Sequence, residues 1–146
     1  MDIKRIEPDK AKELLDSGGG YVYLDVRTVP EFDAGHVPGA KNVPVVEPDA
    51  SGRMALNPRF LPAVESKFAK DAKIITGCKM GGRSMKAAEL LLQAGFSDVV
   101  DMRGGFVGEM DDFGRLSFPG WASRGLPTTK ESAPADRYDT LAKKAG

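Results

Sequence analysis

Apolar residues in this chain come in short runs, and their spacing switches repeatedly between the strand period and the helical one. Ile3 to Ile6 predicts a short opening strand. Pro8 suits the first turn of a helix, with Ala11, Leu14 and Leu15 at i, i+3, i+4 and Gly18-Gly19-Gly20 as the stop. Tyr21-Val22-Tyr23-Leu24 is a β-prone run ending at Asp25 and predicts a buried strand. Glu31 to Ala40 predicts a short helical turn leading into a Gly/Pro-rich connection, and Ala40 to Val46 another short strand, interrupted by Pro44. Residues 47–57 are polar and turn-rich, an expected exposed loop. Asn57 is placed to cap a helix from Pro58 whose apolar stripe is Phe60, Leu61, Val64 and Phe68. Ile74-Ile75-Thr76 predicts a strand; Met85, Ala88, Leu91 and Leu92 share a helical face closed by Gly95; Asp98 to Met102 predicts the last strand. Helices alternating with short buried strands predict an α/β domain around a mainly parallel sheet.

The end of the chain is less regular. Gly104-Gly105-Phe106 opens a mixed stretch, Trp121 resumes a better-packed segment, and Gly125-Leu126-Pro127 closes it. Beyond Thr128 the composition predicts a loose tail with one helical turn around Tyr138 to Lys143. The expected organisation is one domain over 1–128 and a tail over 129–146, with no internal repeats.

Charge and cysteine content narrow the function classes. Lys+Arg and Asp+Glu are both 21, so no global field recruits nucleic acid or an anionic membrane, and any anion preference is local. One cysteine among 146 residues cannot form an internal disulfide. The opening Met1 to Glu7 lacks the apolar stretch of a secretory signal, and no run approaches a membrane span. A cytoplasmic protein is the expectation. The sequence carries no signal for oligomeric state.

The candidate chemistry concentrates in Cys78-Lys79-Met80-Gly81-Gly82-Arg83-Ser84. The segment lies between a predicted strand and a predicted helix, so the thiol falls beside unpaired N–H groups that favour an anion. Lys79 and Arg83 add positive charge, and the two glycines let several N–H groups converge on one centre. Asp25 and Arg27 sit at the C-terminal end of a strand, where open α/β sheets place their ligand crevice. They either line the site or form an ion pair that fixes the loop, and the second reading is preferred. His36, the only histidine, is a candidate base for Cys78 or a hydrogen-bonding partner of loop backbone, the latter again preferred. Arg83 either holds an anionic substrate or orients the loop through a salt bridge; Lys79 is either a rim charge that favours anionic donors or a solvated charge, and Met80 either an apolar lip or simply exposed.

Four segments in order resemble the single-domain rhodaneses of the sulfurtransferase superfamily. They are Leu24-Asp25-Val26-Arg27; Glu31-Phe32 followed by Gly35-His36-Val37-Pro38-Gly39-Ala40; the Cys78 to Ser84 loop; and Gly104-Gly105 with Trp121 and Gly125-Leu126-Pro127. The resemblance spans residues 3–128 and points to the small bacterial and plant senescence-associated type. It implies an α/β fold with a five-stranded, mostly parallel sheet flanked by helices on both faces. It also implies a Cys78 persulfide, formed from an anionic donor such as thiosulfate and passed to a thiol or to cyanide, with no cofactor and no metal. One Cys and one His would in any case make a poor metal site.

Spacing bears on the alternatives. Rhodanese-like loops place four residues between cysteine and arginine, as Lys79, Met80, Gly81 and Gly82 do here, whereas the related cell-cycle phosphatases place five around a larger phosphate. A phosphatase or arsenate reductase is therefore disfavoured, and a non-catalytic binding or regulatory module is the other alternative. Fifteen residues, 106–120, separate the glycine pair from Trp121 where small members have only a few. This stretch is read as an insertion near the site, a lid or a docking surface.

Overall fold

Strand residues that alternate between two faces set the architecture. The computed structural model describes residues 2–138. Five strands form one sheet: β1 (Arg5–Ile6), β2 (Val22–Asp25), β3 (Lys41–Asn42), β6 (Lys73–Gly77) and β7 (Asp98–Met102), in the order β1-β7-β6-β2-β3. Every pairing in this sheet is parallel, with Leu24 opposite Thr76 and Thr76 opposite Asp101. Parallel strands require crossovers, and the helices that supply them cover both faces. Leu24, Ile74 and Val99 point to a core shared with α3 (Phe60–Lys67) and α4 (Gly82–Gln93), through Phe60, Val64, Ala88 and Leu91. Their neighbours Tyr23 and Ile75 point the other way, to Ala11 of α1 (Pro8–Asp16), Phe32 of α2 (Val29–Asp33) and Trp121. The predicted mostly parallel α/β sheet is what forms.

Three segments differ from the sequence-based expectation. The predicted strand 40–46 is cut to Lys41–Asn42. Val43 and Val45 still donate N–H groups to the carbonyls of Asp25 and Val26, but Pro44 between them has no N–H and the ladder lapses. The expected exposed loop 47–57 contains a hairpin, β4 (Val46–Pro48) with β5 (Met54–Leu56). Its turn is held by Asp49, whose Oδ1 accepts hydrogen bonds from the Ser51 and Arg53 N–H groups. The stretch 106–120 is a second antiparallel hairpin, β8 (Gly108–Met110) with β9 (Leu116–Pro119). Asp111 organises its turn in the same way, accepting from the Phe113 and Arg115 N–H groups.

Residues 129–138 pack on the domain, contrary to the expected loose tail. Thr129 and His36 exchange backbone hydrogen bonds at 2.9 Å, Lys41 pairs with Asp136, and Arg137 pairs with Asp33. Tyr138 is buried, its hydroxyl 3.0 Å from Asn57 Nδ2. Asn57 does organise the start of α3, accepting the Arg59 N–H at 3.0 Å. Most of the helical turn expected around Tyr138 to Lys143 lies outside the described residues.

Candidate active site

β6 delivers Gly77 to the carboxyl edge of the sheet, and α4 begins at Gly82, so residues 78–81 must reverse direction within four positions. Gly81 makes that possible with φ +114, a conformation that L side chains rarely adopt. The turn places the Gly81 N–H 3.0 Å from Cys78 Sγ. The sulfur also lies 3.4 Å from Ser84 Oγ in the first turn of α4. Cys78 is 2% exposed, so the sulfur sits at the bottom of the loop.

The outside of the loop is tied to the second hairpin. Cys78 O accepts the Phe106 N–H at 2.7 Å, and Lys79 O accepts those of Val107 and Gly108 at 2.9 and 3.3 Å. A trans peptide puts its carbonyl and the next N–H on opposite sides, so the Lys79 and Met80 N–H groups point away from the hairpin. Close approach of the two segments depends on Gly105. A Cβ there would lie 2.5 Å from Cys78 O and 2.7 Å from the Lys79 carbonyl carbon.

The positive charges near the thiol are largely committed. Arg83 Nη1 and Nη2 donate to the two carboxylate oxygens of Glu31 at 2.7 and 2.9 Å, tying α4 to α2. The fork holds the Glu31 carboxyl at about 2, helped by hydrogen bonds from the Thr28 N–H and hydroxyl, while Glu31 raises Arg83 in return. Of the two roles open for Arg83, the geometry contains the salt bridge. Lys79 is exposed and makes no ion pair among the described residues, and Met80 is exposed beside it.

Asp25 and Arg27 form the ion pair favoured from sequence. Arg27 Nη2 donates to Asp25 Oδ2 at 2.7 Å and to Gly35 O at 2.8 Å, and both side chains are buried. Burial pulls the Arg27 guanidinium down, but the Asp25 carboxylate, with Tyr23 and Glu31, outweighs it, so Arg27 lies above its ordinary value. The Arg27 guanidinium also lies 4.5 Å from the centre of the Phe106 ring. Arg27, Glu31, Gly35, Lys79, Phe106 and Val107 line a cleft of about 230 Å³ beside the loop. His36 takes no part in it: its ring stacks on Phe32, Nδ1 lies 2.7 Å from Phe32 O and Nε2 2.8 Å from Glu131 O. Neither nitrogen meets Cys78, so the histidine holds α2 and the 129–131 segment together.

Four participants escaped the sequence reading as site residues: Glu31, Tyr23, Phe106 and Asp101. Tyr23 lies under the strand ends, close enough to Gly77 that a Cβ there would be 1.7 Å from its hydroxyl, and burial drives its phenol well above the usual range. Asp101 is buried on β7 and was legible only as an acid between Val100 and Met102 in a strand covered on both faces. Among the described residues no group of three or more His, Cys, Asp or Glu could hold a metal ion, and no helix is long and apolar enough to cross a membrane.

The chain resembles known proteins in sequence and in fold. A family model described as "Rhodanese-like domain" matches residues 7–109. "Thiosulfate sulfurtransferase 16, chloroplastic" of Arabidopsis thaliana is 48% identical over 109 residues, 75% of this chain and 80% of its own length. "Senescence-associated protein DIN1" of Raphanus sativus is 48% identical over 97 residues, 66% of this chain but only 51% of its own length. Among solved structures, the "Crystal structure of Rv0390 from M. tuberculosis" matches with a TM-score of 0.73 at 26% identity, covering 90% of this chain and 100% of that one.

Proposed function

This chain belongs to the rhodanese family, and from that premise we propose that it moves a sulfane sulfur from a small anionic donor such as thiosulfate to a thiophilic acceptor through a persulfide on Cys78. Sulfurtransferase activity in general has the support of relatives that carry that name. The observation that carries the finer reading is the Gly81 N–H set 3.0 Å from Cys78 Sγ inside a loop of four residues. A fixed N–H aimed at the sulfur stabilises negative charge there without reorganisation, as an oxyanion hole does at oxygen. The Cys78 sulfur attacks the outer sulfur of thiosulfate, and sulfite leaves with the electron pair of the broken S–S bond. The outer sulfur of the persulfide then passes to cyanide or a thiol, and Cys78 is regenerated.

Surrounding features support an anionic donor and a small reacting centre. Lys79 brings an uncommitted charge to the rim of the cleft, and Arg83 is already bound to Glu31. The short loop around a buried Cys78 suits a single sulfur atom better than a phosphate group. Mass spectrometry after thiosulfate treatment tests the reading directly: the intact chain gains one sulfur, about 32 Da, located on Cys78. Thiosulfate and cyanide together yield thiocyanate, and Cys78→Ala yields none. Thiocyanate formation no higher than with Cys78→Ala would overturn the proposal, and an aryl phosphate hydrolysed by the wild type but not by Cys78→Ser would replace it.

A further inference from the structure

Gly81 carries the N–H that meets the Cys78 sulfur, yet a glycine is the residue least able to hold its own backbone in place. Its carbonyl is fixed from within α4: Ser84 Oγ donates to Gly81 O at 3.2 Å, and the Met85 N–H reaches it at 3.4 Å. Those contacts fix the peptide plane after Gly81. The plane before it, which carries the N–H, can still turn about φ. The side of Gly81 where a side chain would stand is filled from a distant strand: a Cβ there would lie 3.1 Å from Arg5 Nη2 and 3.8 Å from the Gly104 nitrogen.

Arg5 is itself anchored. It lies on β1, a two-residue edge strand, and its Nε donates to Asp101 Oδ2 at 3.0 Å. The other carboxylate oxygen, Asp101 Oδ1, accepts from Thr76 Oγ1 at 3.1 Å. Arg5, Asp101 and Thr76 are register partners, so the three side chains form one row across β1, β7 and β6. Asp101 is fully buried, and a carboxylate there costs free energy unless its oxygens are paired. Backbone pairing of β1 with β7 needs no acid at this position. An acid there does hold a guanidinium in one place.

Resting on the sulfurtransferase reading, we propose that Arg5 is a positioning residue for the reaction: anchored on Asp101, its guanidinium backs Gly81 and keeps the Gly81 N–H on the Cys78 sulfur. It touches neither donor nor acceptor. The guanidinium is one rigid plane, so the nitrogen bound to Asp101 sets the place of the nitrogen against Gly81. With that space occupied, Gly81 loses the freedom that a missing side chain would give it. Lysine has a single nitrogen and can pair with Asp101 or back Gly81, but not both. The effect falls on the chemical step rather than on donor capture, because Lys79 at the rim of the cleft is untouched. Displacing a donor group by about 1 Å from a reacting atom can cost about a hundredfold in rate.

Arg5→Lys separates this role from strand pairing. It keeps a cation for Asp101, and a side chain already 33% exposed accepts the change without repacking. Single-turnover sulfite release is measured against thiosulfate concentration, and exchange of the Gly81 amide proton is followed by NMR in the same protein. The variant is expected to keep the wild-type Tm and the wild-type half-saturating thiosulfate concentration. Its limiting rate is expected to fall about tenfold, and its Gly81 amide to exchange faster. A role in fold stability alone would lower Tm and leave the rate per folded molecule unchanged. Asp101→Asn keeps the shape of the anchor and weakens its hold on Arg5; it carries the same expectation for rate and amide, and serves if Arg5→Lys does not fold. An unchanged limiting rate, or unchanged Gly81 exchange, in the folded variant overturns the brace while leaving the persulfide reading intact. Should the wild type release no sulfite, the sulfurtransferase reading falls, and the amide comparison still decides the brace: unchanged exchange overturns it.

Discussion

Replacing Glu31 by Gln removes one charge and keeps the shape of the side chain. Gln retains an oxygen for the Thr28 N–H and hydroxyl, now 3.1 and 2.9 Å from Glu31 Oε1, but loses the ionic half of the Arg83 fork. The magnitude follows from the carboxyl itself, which lies at about 2 in the fold against an ordinary 4.5. At about 1.4 kcal/mol per unit, the difference sets a ceiling of roughly 3 kcal/mol. Arg83 and Glu31 are 26% and 29% exposed, so solvent screening reduces the expected loss to about 1–2 kcal/mol. The folded value is depressed, so this stability is fully present above pH 4.5 and disappears as pH falls through about 2. By linkage roughly two fifths of it remains at pH 3. Urea denaturation of wild type and Glu31→Gln at pH 7, 5 and 3 measures the gap. A difference near 1–2 kcal/mol at pH 7 that more than halves by pH 3 is expected. A gap that stays constant from pH 7 to pH 3 would refute the ionic account.

Three further substitutions separate packing, buried charge and stacking. Gly105→Ala must place a Cβ 2.5 Å from Cys78 O at φ +64, so we expect a loss of about 3 kcal/mol or more and a lower Tm; an unchanged melt would contradict the close approach. Asp25→Asn leaves the buried Arg27 guanidinium without its counter-charge, at an expected cost of about 3–5 kcal/mol in denaturant titration. Phe118→Leu removes a ring that carries Arg103 at 4.0 Å and Arg124 at 4.8 Å. A loss of about 1 kcal/mol is expected, with thiocyanate formation retained.

The sheet was legible because its strands are local events. Leu24, Ile74 and Val99 alternate with Tyr23, Ile75 and Val100, and that period of two appears in any single segment. The Cys78 to Ser84 loop was legible for a similar reason, since the strand, the turn and the helix start are consecutive. Partnerships were much less so. The pairing of Arg83 with Glu31 joins residues 52 positions apart, and that of Arg5 with Asp101 joins residues 96 apart. No local pattern encodes such contacts. The hairpins were missed because strands of three and four residues, half exposed, carry almost no apolar alternation. The packing of residues 129–138 rests on Tyr138 and on backbone exchange with His36, and a polar, proline-containing stretch signals neither.

The second hairpin has one end that cannot change and one end that can. At its base, β8 follows directly on the N–H groups that hold the Cys78 and Lys79 carbonyls, and Gly105 and Gly120 leave no room for a side chain. At its tip, the turn is self-sufficient: Asp111 exchanges hydrogen bonds with Arg115, and Phe113 is 83% exposed. Foreign chain spliced between Asp112 and Phe113 would therefore load a turn that supports nothing else. A peptide tag or fluorophore handle placed there would meet the exposed end of the hairpin, while the end that holds the Cys78 and Lys79 carbonyls keeps its own hydrogen bonds.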